Sequence, residues 1–285
     1  MIEDNRKGVD MIELRGKAVA DAHKAILQKQ VAAIGNEVIT MAVLLVGNDH
    51  GATMYADFME KTANNFGYRF VRVQLSETAT HDEVYAALME LNNDDSIHGI
   101  LPLMPMPKHI DTEKLINALD PQKDIDGLTT YNIGLVTASK GGFAPCTAKA
   151  CIAILDHYNI PLEGKHVVVV GRSQVIGKPV ALMALERNAT VSICHSRTVD
   201  LAKHVREGDI VIAAAGRAHM ITADMVKAGA VVIDVGINEL EGKTVGDVDY
   251  EAVSQVVSAI TPVPGGVGSV TTTMMLAAVY EAYRA

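Results

Sequence analysis

The chain has no tryptophan and only four phenylalanines in 285 residues, so aromatic residues make up 4% of it. Platforms on which single-stranded nucleic acid stacks are therefore missing. Basic residues are outnumbered: 25 Lys and Arg stand against 34 Asp and Glu, for a net charge of -9. That balance excludes a broad basic face for nucleic acid or for anionic lipid. The cysteines are Cys146, Cys151 and Cys194. An odd count without paired spacing predicts no disulfide framework, and a reducing, cytoplasmic compartment is the expectation. No run approaches about 18 consecutive apolar residues, so no membrane-spanning helix is expected. The polar start, Met1–Asp10, lacks the apolar stretch of a signal peptide. Neither H-E-x-x-H nor a paired C-x-x-C occurs, and no metal site is expected.

What the sequence does have is material for a core. Hydrophobic residues make up 49% and charged residues 21%, the balance of a soluble globular protein. The length suits two ordinary domains. Val19–Ala33 reads as a helix, and Thr40–Val46 as a buried strand closed by Gly47 and Asn48. Tyr55–Phe66 reads as a helix with Gly67 as its stop. Tyr68–Leu75 alternates as a strand, and His81–Asn92 reads as a helix. Gly99–Leu103 is a short strand before the turn Met104-Pro105-Met106-Pro107. Further strands are expected at His166–Val170, Thr190–Cys194, Ile210–Ala214, Val231–Val235 and Ser258–Ile260, with a helix over Pro179–Arg187. The rhythm predicts an α/β fold with parallel sheet, Rossmann-type in the second half. The stretch Gly134–Cys146 is the expected boundary, and the last helix, Thr271–Arg284, is expected to return to the first domain.

Between the strand at 166–170 and the helix at 179 lies Gly171-Arg172-Ser173-Gln174-Val175-Ile176-Gly177. A glycine-bracketed turn from strand to helix suits phosphate, because backbone approaches closely and the helix N-terminus offers free N–H groups. The loop is longer than G-x-G-x-x-G. NAD-binding domains usually place an acid after the second strand. Here that strand runs into His195-Ser196-Arg197-Thr198, with no acid. Arg197, Ser196 and Arg172 suit a 2′-phosphate dianion, which predicts NADP.

The segments VVVGRSQVIGKPVALM, CHSRT, VIDVGIN and TPVPGGVGSVT resemble those of the methylenetetrahydrofolate dehydrogenase/cyclohydrolase family. LVGNDHGATMY, GILPLMPMPKH, DPQKDIDGL and FAPCTAK in the first half are similar to the same family, in the same order. The resemblance implies an N-terminal α/β folate-side domain, residues 1–145 joined by the helix 271–285. It implies a Rossmann NADP domain over 146–270, a cleft between the two, and usually a homodimer. It implies a small folate substrate and two reactions: hydride transfer from methylene-tetrahydrofolate to NADP, then hydrolysis of the methenyl product. By the same resemblance, Gly171, Arg172, Ser173, Ile176 and Gly177 form the cofactor loop. Ser196 and Arg197 meet the 2′-phosphate, and Gly216 and Ile237 also belong to the cofactor side. Tyr55 stacks on the folate and Asp126 grips the pterin, the two as catalytic groups. Pro264, Gly265, Gly266, Val267 and Gly268 line the folate pocket.

The sequence departs from the family pattern at two places. Where the family reads Y-x-x-x-K, this chain reads Tyr55-Ala56-Asp57-Phe58-Met59, so Met59 takes the place of the catalytic lysine. Where the family has a glutamine partner for that lysine, this chain has Leu103. Lys61 is turned away from the Tyr55 face of the helix. Ser269, Ala148 and Ala150 are smaller departures, read as loop adjustments. Hydride transfer asks mainly for placement, and a neutral Met59 does not oppose positive charge growing on the folate. Hydrolysis needs a proton-transfer group, which neither Met59 nor Leu103 offers. The expectation is an NADP-dependent dehydrogenase with very weak or absent cyclohydrolase. The alternatives are an ordinary bifunctional enzyme and a non-catalytic folate- and NADP-binding protein. His109 and His195 read as structural or cofactor-adjacent, and Cys146 and Cys151 as buried thiols. Among Met54, Met59, Met104 and Met106, the second and third are expected in a pocket wall.

Overall fold

The structure is a computed structural model that describes residues 11–285; the polar start Met1–Asp10 lies outside the described residues. The elements begin β1 (Ile12–Glu13), α1 (Gly16–Ala32), β2 (Thr40–Val46), α2 (His50–Asn65), β3 (Arg69–Leu75), α3 (His81–Asn93), β4 (Gly99–Pro102), α4 (Thr112–Ala118) and α5 (Thr130–Thr137). They continue α6 (Cys146–His157), β5 (His166–Val170), α7 (Gly177–Glu186), β6 (Thr190–Cys194), α8 (Leu201–Arg206), β7 (Ile210–Ala213) and β8 (Val231–Asp234). The chain ends β9 (Asn238–Leu240), β10 (Lys243–Val245), α9 (Tyr250–Val253), β11 (Ala259–Ile260) and α10 (Val267–Arg284). Two compact units result. One holds the residues up to Ala20 with Ala150–Val270; the other holds Asp21–Lys149 with Thr271–Ala285.

In the unit of Asp21–Lys149, β2 is the middle of a three-stranded parallel sheet, β3-β2-β4. Leu44 pairs with Val73 on one side and Pro102 on the other. All seven residues of β2 are buried. A parallel strand covered on both faces must be apolar throughout, which is why Thr40–Val46 shows no alternation. Ala42, Leu44 and Val46 pack with Ile100, with Val84, Leu88 and Leu91 of α3, and with Leu115 and Leu119. Each such leucine contributes about 1.5–3 kcal/mol by leaving water. Asp49 caps α2 by accepting from the Ala52 amide at 2.9 Å, so the helix starts at His50, ahead of the expected Tyr55. The α3 helix opens with a capping box between Thr80 and Glu83. Its other end is tied down by Lys123, whose Nζ donates to the carbonyls of Asn92 at 2.7 Å and Asp94 at 2.9 Å.

The other unit carries a six-stranded sheet, order β1-β11-β8-β7-β5-β6, with every neighbouring pair parallel. The β1 strand pairs with β11 here, so the N-terminal segment departs from the expected span 1–145. Two residues of strand carry too little pattern to be read from sequence. The chain runs from β5 outward to β6 and then returns to the far side of β5 for β7, which makes β5/β7 the switch point of the sheet. Ligands of open α/β sheets bind beyond the strand ends at such a point. The three cysteines are free and buried, Cys146 and Cys151 as expected and Cys194 with them. Among the described residues no helix is long and apolar enough to cross a membrane.

Candidate functional site

The sequence-predicted residues fall into two groups, one in each unit. In the Rossmann-type unit the loop after β5 turns sharply at Gly171, φ 140°. A β-carbon there would lie 2.1 Å from the Ala214 carbonyl oxygen, which follows β7. One at Gly177 would lie 2.3 Å from the Gly171 carbonyl oxygen. The two glycines let the turn fold flat across the switch point. Ser173 braces it, its Oγ accepting from the amides of Ile176 at 3.1 Å and Gly177 at 3.3 Å. Arg172 and Ser173 are exposed on this turn.

The segment after β6 locks itself. His195 donates its amide to Thr198 Oγ1 at 2.8 Å, the Thr198 amide returns to the His195 carbonyl at 2.8 Å, and the Arg197 amide donates to His195 Nδ1 at 3.1 Å. The His195 ring is thereby a turn-former, and Ser196 and Arg197 stand exposed. A backbone turn ahead of a helix, with two guanidiniums and a hydroxyl and no acid at 195–198, where the β6 strand runs out, fits a dinucleotide carrying a 2′-phosphate. Gly216 lies beyond β7 with φ 64°, and Ile237 lies beyond β8 with 73% of its surface exposed. Pro264–Gly268 leads from β11 into α10; the Gly265 carbonyl accepts from the Gly16 amide at 2.8 Å. A β-carbon at Gly268 would touch Ile237 Cδ1 at 3.9 Å, so these two predicted positions are neighbours.

In the other unit, Ala52, Ala56, Met59 and Ala63 form the buried stripe of α2. Met59 is fully buried, and Tyr55 stands one turn before it, half-buried. Lys61 is exposed, as its place on the helix predicts. Leu103, 5% exposed, is fixed as its amide donates to the Leu44 carbonyl at 2.9 Å. Of the four methionines, Met59 is buried and Met104 is partly exposed, while Met106 packs on the core and Met54 faces outward. His109 Nε2 donates to the Ala79 carbonyl at 2.8 Å, a structural contact.

The turn Lys123–Gly127 carries two acids with different surroundings. Asp124, buried, accepts from the amides of Leu128 at 3.0 Å and Thr129 at 2.9 Å, and from the Asn132 side chain at 2.9 Å. Asp126 accepts from the Cys146 amide at 2.9 Å. Burial pushes the Asp126 carboxyl up to about 6, against the pull of the Cys146 amide and with the charge of Asp124 adding to it. Tyr55 is pushed upward by burial first, then by the charges of Asp126 and Cys146. The phenol is thus held neutral, while Asp126 changes charge near neutral pH. Among the described residues no group of acids, histidines and cysteines is arranged to hold a metal ion.

Sequence reasoning missed Asp234 and Asp247, both buried at the strand ends beside Gly216 and Ile237. Asp247 follows Gly246 in a segment without periodicity, and Asp234 closes an otherwise apolar strand. That misplaced acid was the available signal: a buried carboxylate is costly unless its oxygens find donors.

Comparison with known proteins bears on both units. Residues 14–126 match the catalytic domain of the tetrahydrofolate dehydrogenase/cyclohydrolase family, and residues 145–285 match its NAD(P)-binding domain. The bifunctional protein FolD of Desulforamulus reducens is 44% identical over 265 residues, 92% of this chain and 93% of that protein. The crystal structure of the bifunctional FolD dehydrogenase/cyclohydrolase from Campylobacter jejuni superposes with a TM-score of 0.93 at 40% identity, covering 96% of this chain and 99% of that one. The Trypanosoma brucei methylenetetrahydrofolate dehydrogenase-cyclohydrolase, solved with NADP cofactor and inhibitor, gives 0.91 at 32% identity over 96% and 97%.

Proposed function

The chain belongs to the tetrahydrofolate dehydrogenase/cyclohydrolase family, and we propose that within it this protein oxidises 5,10-methylene-tetrahydrofolate to the methenyl form with NADP, and hydrolyses that product very weakly or not at all. NADP, when bound, accepts the hydride. Gly171, Gly177 and Ser173 shape the turn that receives its phosphates, Arg172, Ser196 and Arg197 meet the 2′-phosphate, and Ile237 with Gly216 borders its nicotinamide end. Asp126 accepts hydrogen bonds from the pterin ring, Tyr55 offers its face to it, and Pro264, Gly265, Gly266, Val267 and Gly268 line the folate pocket. Met59 and Leu103, both buried, put apolar side chains where the family has lysine and glutamine. Catalysis of the oxidation is placement, which needs no ionisable group at Met59.

The loss of hydrolysis is carried by one observation: Met59 is fully buried one turn from Tyr55, at the position where the family has lysine. Opening the methenyl ring moves protons, and a positioned acid or base is worth about 10²–10⁴-fold. Met59 and Leu103 can neither donate nor accept a proton, and Tyr55 is held neutral. The test is the absorbance decay of methenyl-tetrahydrofolate, corrected for spontaneous hydrolysis. Decay at the background rate supports the reading; decay proportional to enzyme refutes it.

A second reading, the bifunctional enzyme, is the one that the relatives' names carry. It is favoured by Asp126, whose carboxyl is pushed up to about 6 and so exchanges protons near neutral pH. Should decay exceed background, a loss of its kcat in Asp126→Asn at saturating methenyl-tetrahydrofolate would assign the residual hydrolysis to this carboxylate.

A further inference from the structure

The loops after β7 and β8 carry Gly216 and Ile237, and one side chain holds both. Asp247 is fully buried. Its Oδ2 accepts from the amides of Ala215 at 2.6 Å and Gly216 at 3.0 Å. Its Oδ1 accepts from the Arg217 amide at 2.8 Å and from the Asn238 side chain at 2.9 Å. Hydrogen bonds to an ionised acceptor are stronger than neutral ones, and strengthen further out of water. The fit is reciprocal. A β-carbon at Gly236 would lie 2.3 Å from Asp247 Oδ1, and one at Gly246 would lie 1.8 Å from Asp234 Oδ2. Asp234 in turn accepts from the amides of Asp247 and Val248, both at 3.0 Å, and from Gly236 at 3.0 Å. Each carboxylate fills the space that a glycine of the other segment leaves.

Ile237 sits between these contacts. Gly236 before it is pressed against Asp247, and Asn238 after it is bonded to Asp247. With 73% of its surface exposed, the isoleucine is placed by its backbone and gains little from packing in this unit.

We propose that Asp247 is a positioning residue for hydride transfer: through the amides of Ala215–Arg217 and through Asn238 it fixes the two loops at the nicotinamide end of the cofactor, and so fixes Ile237. The inference rests on the NADP-dehydrogenase reading above. A purely structural acid would loosen the whole cofactor site together. A positioning acid affects the reacting end and spares the 2′-phosphate end, whose contacts Ser196 and Arg197 lie on another loop.

Asp247→Asn keeps the volume and puts an NH₂ group against N–H donors. Its kcat with NADP and methylene-tetrahydrofolate is expected to fall about 10- to 100-fold, the scale of an ångström misplacement. Its Kd for adenosine 2′,5′-bisphosphate, which has no nicotinamide, is expected to stay within about twofold, as for independent sites. Asn238→Ala removes one donor and leaves the three amides on Asp247. It is expected to lower kcat less, with the same unchanged Kd, and it decides the matter if circular dichroism shows Asp247→Asn unfolded. Unchanged kcat in a folded Asn238→Ala, or a loss of bisphosphate affinity as large as the loss of kcat, overturns the proposal. Should the wild type form no NADPH at all, the dehydrogenase reading has failed and the clamp is read from the nicotinamide fluorescence of bound NADPH. An emission spectrum altered in Asn238→Ala then supports the clamp, and an identical spectrum overturns it.

Discussion

Asp124 and Asp126 occupy one turn and are satisfied in different ways: Asp124 gathers the amides of Leu128 and Thr129 and the side chain of Asn132, while Asp126 accepts from the Cys146 amide. The first acid builds the turn, and the second has oxygen to spare for a ligand. Asp124→Asn should therefore destabilise the protein by roughly 1.5–3 kcal/mol, the cost of losing hydrogen bonds to a buried charge. Asp126→Asn should leave it folded and strip the dehydrogenase of most of its activity. Thermal unfolding and kcat/KM of the two variants check this together. A normal rate in folded Asp126→Asn would show that the pterin is held elsewhere.

The same carboxylate predicts two pH dependences. On the proposed contact with the pterin, Asp126 accepts more strongly when ionised, and its carboxyl lies at about 6, so kcat/KM for the folate should fall as pH drops through about 6. Stability runs the other way. The folded-state value is raised above the ordinary 3.8, so the folded protein binds the proton more tightly than the unfolded chain. Stability is thus lost as pH rises from about 4 to about 6. Asp126→Asn lacks that loss and should melt higher at pH 7, by roughly 2–4 °C for each kcal/mol recovered in a chain of this size. Asp234 is raised likewise but is present in both proteins, so their difference isolates Asp126. A melting temperature lower in the variant at pH 7 contradicts the sign argued here.

The strands were legible because burial on two faces leaves an apolar run: Thr40–Val46 and His166–Val170 have the bounds that the sequence suggests. Helix starts were less so. The α2 helix begins at His50 because Asp49 caps it, and α10 begins at Val267, inside a glycine-rich loop that gives no periodicity. In the candidate site, what the sequence shows at Gly171, Arg172, Ser196 and Arg197 is local: a glycine where backbone approaches closely, and positive charge. Asp247 was not legible, because its meaning lies in bonds to Ala215–Arg217 and Asn238, segments that the sequence keeps apart.

NADP should be preferred over NAD. Arg172, Ser196 and Arg197 are all exposed around the loops of the Rossmann-type unit, free to meet a phosphate. One charge-assisted contact is worth about 1.5–3 kcal/mol, or about 10- to 100-fold in kcat/KM. Arg197→Asp should reverse most of that preference by setting a carboxylate against the 2′-phosphate. The ratio of kcat/KM for the two cofactors measures it. Equal values in the wild type refute the assignment.

Restoring the two lost side chains should restore some hydrolysis. Met59→Lys together with Leu103→Gln puts a proton-transfer group one turn from Tyr55 and gives it a polar partner. Methenyl-tetrahydrofolate should then decay faster than background by about 10-fold or more, the low end of what a positioned acid or base supplies being about 100-fold. Met59→Lys alone should do less. The position is fully buried, and an ammonium without a partner there is driven toward its neutral form. The single variant should also unfold at lower temperature than the double, since adding the partner satisfies the buried charge. Oxidation of methylene-tetrahydrofolate should slow in both, because an ammonium beside the N–C–N bridge opposes the positive charge that grows as the hydride leaves. Met59→Leu is the control, keeping the wall apolar, and should change neither reaction much. If the folded double variant hydrolyses no faster than background, lysine and glutamine are not what this site lacks.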